Sequence, residues 1–163
     1  MSDDLFHCSH CGGSYDYSVG QSFEDESPKW SASAGCLGCG KAIAIDGYGL
    51  PPPEFRSLTF AKEGARELTI EADADAFSTL RQLQTILNIP VQSLAPLAKQ
   101  IPGPVIWGTQ TEMNWLATAL LARSITASVS PKNLSTDSGS VDLDTLLPMG
   151  WHPIGVSSPT SPT

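Results

Sequence analysis

Basic residues are scarce in this chain of 163 residues: nine Lys and Arg stand against 17 Asp and Glu, for a net charge of −8. The few cations are scattered rather than clustered, which argues against neutralising a nucleic-acid backbone. Histidine is scarcer still, with His7 and His10 together near the N-terminus and His152 alone near the other end. That distribution leaves no His–Ser or His–Cys arrangement in one expected site. Neither GxGxxG nor GxxxxGK occurs, so the glycine-rich phosphate loops are missing as well. No apolar run approaches the roughly 20 residues needed to span a bilayer, and the acidic start Met-Ser-Asp-Asp-Leu lacks the basic and apolar regions of a secretory signal. The expectation is therefore a cytoplasmic, non-enzymatic protein without a membrane segment.

Cysteine is also rare, but its placement is informative. All four cysteines fall in two matched knuckles, Cys8-Ser-His-Cys11-Gly12 and Cys36-Leu-Gly-Cys39-Gly40. Each CxxC pair can set two thiolates on one tight turn, and two such turns complete a tetrahedral sulfur cage of the kind zinc prefers. Gly12, Gly13, Gly38 and Gly40 stand where a sharp turn needs a positive φ and where backbone N–H groups must aim at sulfur. The expected cofactor is one structural zinc ion on Cys8, Cys11, Cys36 and Cys39. Its closed coordination would be chemically inert. A disulfide framework, a redox CxxC and four free thiols are the alternatives, and His7 or His10 could replace a cysteine or support a sulfur from outside.

The chain divides into residues 1–48, a zinc ribbon; 49–53, a Pro-rich linker; 54–130, an α+β domain; and 131–163, a mostly disordered tail. In the ribbon, Tyr15, Tyr17 and Val19 alternate as a strand does, residues 20–28 read as a loop, Trp30, Ala32 and Ala34 alternate again, and Ala42–Ile45 precede an Asp46-Gly47 turn. Pro51, Pro52 and Pro53 favour an extended spacer. Beyond them, Leu58 with Phe60 and Leu68 with Ile70 suggest one or two strands. A helix over 75–88 follows, with Asp75 as N-cap and Phe77, Leu80, Leu83 and Leu87 inward. A short helix over 93–100 carries Leu94, Leu97 and Ile101, and Val105–Trp107 reads as a buried strand. Thr109 to Glu112 is a capping box opening a helix with Met113, Leu116, Ala117, Leu120 and Leu121 on one face and Trp115 off it. Ile125, Ala127 and Val129 alternate in a last strand that Pro131 closes. In the tail, Val141–Leu147 and Met149–Gly155 are apolar enough to dock on the parent domain or on a partner. The fold class is α+β, a small β-rich ribbon followed by three helices on a sheet.

The run TLRQLQTILNIPVQSLAPLAKQIPGPVIWG followed by TQTEMNWLATALLARSITASV, within residues 54–130, resembles the C-terminal domain of the bacterial ribosomal stalk protein. Pro102, Gly108 and Leu121 occupy that family's proline before the middle strand, glycine before the capped helix and leucine within it, and Glu54-Phe55 resembles its start. Leu80 and Arg81 match an apolar–basic pair of the surface on which translation factors dock, whereas Ala76, Gln84 and Ala95 stand where the family has basic residues. The resemblance implies a protein partner, a ribosome or translation factor. Together with Trp115 and Trp151, Leu80 and Arg81 form the candidate partner-binding set. An acidic inhibitor or immunity-type protein facing a basic target, and a nucleic-acid-binding ribbon, are the other readings.

Overall fold

The computed structural model describes residues 7–24, 27–147 and 151. Its α+β architecture consists of two sheets and five helices. The first sheet is an antiparallel meander of β1 (Tyr15–Glu24), β2 (Ser27–Cys36) and β3 (Ala42–Tyr48). The strands run longer than alternation alone implied. Residues 20–24 continue β1 rather than loop out, and Asp46-Gly47 lies inside β3 paired with Ser31 and Trp30. Gly47 is bare because the Trp30 indole lies across it: a Cβ there would stand 2.7 Å from the ring. Tyr17 and Trp30 share one face of the sheet, and both rings lean on Phe55, with centroids 6.1 and 5.9 Å away.

Residues 49–53 are not a free spacer. Gly49 and Pro51 are buried, the Gly49 N–H donates to the Pro28 carbonyl at 2.9 Å, and Pro53 begins a helix. That helix, α1 (Pro53–Glu63), stands where alternation at Leu58 and Phe60 suggested a strand. Proline at the first helical position supplies the right φ and needs no N–H partner, and the burial of Phe55, Arg56 and Thr59 follows helical spacing. Gly64, at φ 75°, ends the helix in a conformation that favours glycine.

The second sheet has the order β6 (Ala127–Pro131), β4 (Arg66–Ile70), β5 (Gly103–Gly108) and β7 (Val141–Asp142); β4 is antiparallel to both neighbours, and β7 lies parallel to β5. Between these strands come α2 (Ala76–Leu87), a 3-10 turn (Val91–Leu94), α3 (Ala95–Ala98), α4 (Gln110–Leu121) and, last, α5 (Leu143–Leu146). Both capped helices begin where their side chains require. Asp75 Oδ2 accepts from the Ser78 N–H at 2.7 Å, and Thr109 and Glu112 form the reciprocal capping box.

The buried stripe of α2 is rotated from the expected one: Thr79, Leu83, Ile86 and Leu87 face the core, while Phe77 is 70 % exposed. On α4 the stripe is Met113, Leu116 and Leu120, with Trp115 buried beside it and Leu121 64 % exposed. The wider stripe reflects a helix covered on two sides, by the second sheet and by the C-terminal segment.

Residues 131–147 are ordered, and of the two apolar pieces expected to dock, Val141–Leu147 and Trp151 of the second do so on the parent domain. Leu143 and Leu146 are buried in the core, β7 extends the sheet, and the Trp151 indole donates to the Leu87 carbonyl at 2.6 Å. This carbonyl is one of those the end of α2 leaves without a helical partner. Burial of these three large apolar side chains favours the docked segment. The rest of Met149–Gly155 lies outside the described residues.

Candidate metal centre and its supports

The two knuckles meet at the end of the first sheet. Cys8 and Cys11 come from the turn preceding β1, and Cys36 and Cys39 from the turn between β2 and β3. Pairing of Tyr15 with Cys36 and the bond from the Leu37 N–H to the Ser14 carbonyl at 3.0 Å bring the turns together. All four sulfurs lie within 4.8 Å of one another; Cys8 and Cys39 are 3.8 Å apart, and Cys11 and Cys36 are 3.4 Å apart. Zinc–sulfur bonds of about 2.3 Å in a tetrahedron place sulfurs about 3.8 Å apart, so the cage has the right size for a metal ion. None of the four is in a disulfide.

The surroundings fit as well. Within each knuckle a backbone N–H points at sulfur, Gly13 to Cys11 at 3.4 Å and Cys39 to Cys36 at 3.5 Å. The four glycines divide into two kinds. Gly12 and Gly40 have φ near 70°, as expected, whereas Gly13 and Gly38 do not. The latter two are bare for space: a Cβ on Gly13 would stand 3.2 Å from the sulfurs of Cys11 and Cys36, and one on Gly38 would stand 3.1 Å from Cys11.

Sulfurs this close cannot all ionise without a cation. N–H groups of His10 and Cys11 and the Tyr15 hydroxyl draw the Cys8 thiol down to about 6. The Cys39 N–H lowers Cys36 against the opposing effect of burial. At Cys11 the Gly13 N–H acts downward, but the neighbouring sulfurs of Cys36 and Cys39 outweigh it and push the thiol up to about 11. Its bond to the Cys8 sulfur, with burial, raises the Tyr15 phenol to about 12. A dication held there would remove this mutual repulsion, and all four residues are placed to hold it as thiolates. With four sulfur ligands no coordination position is left open for substrate.

The partner-binding candidates are not brought together. Arg81 is exposed on α2 and Leu80 is half-buried against the core. Trp115 and Trp151 are buried with ring centroids 5.7 Å apart, so both are core residues rather than surface contacts.

Two polar clusters escaped the sequence reading. In the first, Arg56 on α1 donates from Nε and Nη2 to Glu112 on α4, at 3.0 and 2.9 Å, and from Nη2 to Asp142 on β7 at 2.8 Å. Glu112 is fully buried and also accepts from the Thr109 N–H at 2.9 Å and from Gln21 of β1 at 3.4 Å. Burial alone would lower the Arg56 pKa, but the two carboxylates outweigh it and raise the value further. In the second, Lys132 reaches Glu67 at 3.0 Å, Ser138 at 2.7 Å and Ser140 at 3.0 Å, while both hydroxyls also bond Glu67. Burial would raise the Glu67 carboxyl; the serines and Lys132 hold it below its ordinary range. A capping box was the only legible trace of the first cluster, and none existed for the second.

The hollow between the β1–β2 hairpin and α4 is lined by Ser22, Phe23, Glu63, Gln110, Thr111 and Asn114, which include no base paired with a nucleophile. No helix among the described residues is long and apolar enough to cross a membrane. The chain matches no protein-family model, no curated protein and no solved structure.

Proposed function

We propose that this chain is a non-enzymatic protein-interaction module whose N-terminal sheet is a zinc ribbon stapled by one structural zinc ion. The observation that carries the reading is the four-sulfur cage, with its free cysteines, inward N–H groups and glycines kept bare beside the sulfurs. Cys8, Cys11, Cys36 and Cys39 hold the ion; its contribution is a cross-link between two turns, and no step of chemistry passes through it. The partner is a protein. The stalk-like pattern of residues 54–130 assigns it to the ribosome or a translation factor, with exposed Arg81 as the residue kept from that family's docking surface.

Chain purified without chelators should contain one zinc per molecule by elemental mass spectrometry, and Cys8→Ser should lose it. Retention of a full equivalent by that variant would refute the ribbon. Ribosome co-sedimentation tests the translation link: complete failure to sediment removes it, and sedimentation unchanged by Arg81→Glu removes the stalk-like contact. The net charge of −8 favours a second reading, an acidic inhibitor of a basic protein, whose mark would be tight and salt-sensitive binding to one such target.

A further inference from the structure

Among the described residues, the first sheet ends at β3 with no strand paired to its outer side. Six of the seven residues of β3 are exposed, and its register with β2 runs unbroken from Ala42 opposite Gly35 to Tyr48 opposite Lys29. Proteins blunt such edges with proline, bulges or inward charges, because a free row of N–H and C=O groups invites another strand. β3 contains no proline and no bulge, and Asp46 is its single charge. The second sheet is guarded: β6 ends in Pro131 followed by Lys132, and β7 occupies the outer side of β5.

Side chains along β3 say what would fit. Ile43 and Ile45 stand opposite the buried Ala34 and Ala32, at the rim of the face that packs on Phe55, and remain 43 % and 44 % exposed. On the other face Asp46 has the small Ala44 on one side and Tyr48, with the Lys29 ammonium 5.3 Å from its ring centre, on the other, and it makes no ion pair among the described residues.

We propose that β3 is a docking strand, and that an extended segment of a partner protein adds to it as a fourth strand. Aliphatic side chains of the segment lie beside Ile43 and Ile45, and a lysine or arginine lies beside Asp46. Main-chain bonds give affinity in this mode and alternate side chains give specificity. A basic segment is complementary to Asp46 and to a chain of net charge −8, whereas a second copy would bring the same charge against itself. The proposal rests on the interaction-module reading and names the surface that reading lacks.

The probe is an acetylated, amidated heptapeptide of alternating lysine and valine, titrated into the zinc-loaded, 15N-labelled full chain, with its glutamate–valine counterpart as control. The expected result is saturable amide shifts centred on residues 42–48, with the lysine peptide bound about tenfold more tightly than the control. Asp46→Lys should reverse that preference. Ile45→Lys should weaken binding about fivefold with an unchanged melting temperature, since the site is already half open to water. Equal affinity for the two peptides, or shifts that avoid β3, would overturn the proposal. So would a concentration-dependent dimer in ultracentrifugation that Ile45→Lys dissociates, because a second copy would then be the occupant. If Ile43→Lys/Ile45→Lys abolishes both peptide binding and ribosome co-sedimentation, β3 is supported as the surface. Ribosome binding that survives this double variant leaves the interaction reading standing and removes β3 from it.

Discussion

Glu112 ties three elements together through one buried side chain. One carboxylate closes a helix cap, receives the Arg56 guanidinium and reaches Gln21 of the first sheet, so it joins α4, α1 and β1 at once. A buried charge that loses one partner is left uncompensated, which typically costs about 3–5 kcal/mol. Glu112→Ala should therefore destabilise the protein by that amount in urea unfolding, with Arg56→Met recovering part of the loss in the double variant. Little of this could be read beforehand. A Thr followed three residues later by Glu names the cap, but nothing local says that an arginine 56 positions earlier comes to the same oxygen.

Glu67 makes a different prediction. Its folded carboxyl is held below the ordinary value of 4.5, so its stabilisation is fully present above that pH and fades as acid carries the pH through the lowered value. The melting-temperature difference between wild type and Glu67→Gln should be largest near neutrality and shrink steadily below pH 4.5. A constant difference across that range would show that Glu67 acts through packing alone.

Among the elements, those with chemically marked ends were the ones sequence could locate. Asp75 and the Thr109 box placed the starts of α2 and α4, and Asn88, at φ 50°, ends α2 in a left-handed cap. The helix α1 was the exception: Pro53 and Gly64 mark its ends, yet it was read as a strand. Leu58 and Phe60 look like alternation over three residues, too short a window to separate a strand from the flank of a helix. Phase was also beyond reach on α2, because Thr79 is buried while Phe77 is exposed, the reverse of their hydrophobicity. A threonine can be buried there because its hydroxyl donates to the Asp75 carbonyl at 2.8 Å.

The meeting of the four cysteines was legible, since cysteine spacing needs no tertiary context, whereas the reason Gly13 and Gly38 are bare was not. What spacing did not reveal was how firmly the first sheet sits on the rest. Cys8→Ser should abolish stoichiometric metal and unfold β1–β3, given that metal binding supplies about 10–16 kcal/mol in comparable small domains. Because Phe55 and Gln21 tie the sheet to α1 and α4, calorimetry should also show a lower melting temperature for the remaining structure. An unaltered second transition would mean that the two parts are energetically independent. Trp151→Ala should cost about 3–5 kcal/mol, the usual range for removing a buried indole, and the loss should appear in the same cooperative transition.

For the molecule as a whole, composition sets an expectation that an assay can check. At net charge −8, with no basic stripe, the full chain should not be retained by DNA or RNA at about 150 mM salt in a filter or mobility assay. Composition alone understated order in residues 131–147, where only the apolar pieces pointed to docking. A serine- and proline-rich stretch suggests a free tail, yet Leu143, Leu146 and Trp151 are spent on the core. Trp151 lies against Gly49, where the first sheet passes into α1, and bonds the last turn of α2. Chains emerge from synthesis N-terminus first, and domains tend to fold in that order. Here the knuckles can take up metal once residue 39 is out, but the hydrophobic interior cannot close until residue 151 follows. For more than a hundred residues of elongation, all four cysteines of the cage are already out while the core that backs their sheet stays unsealed.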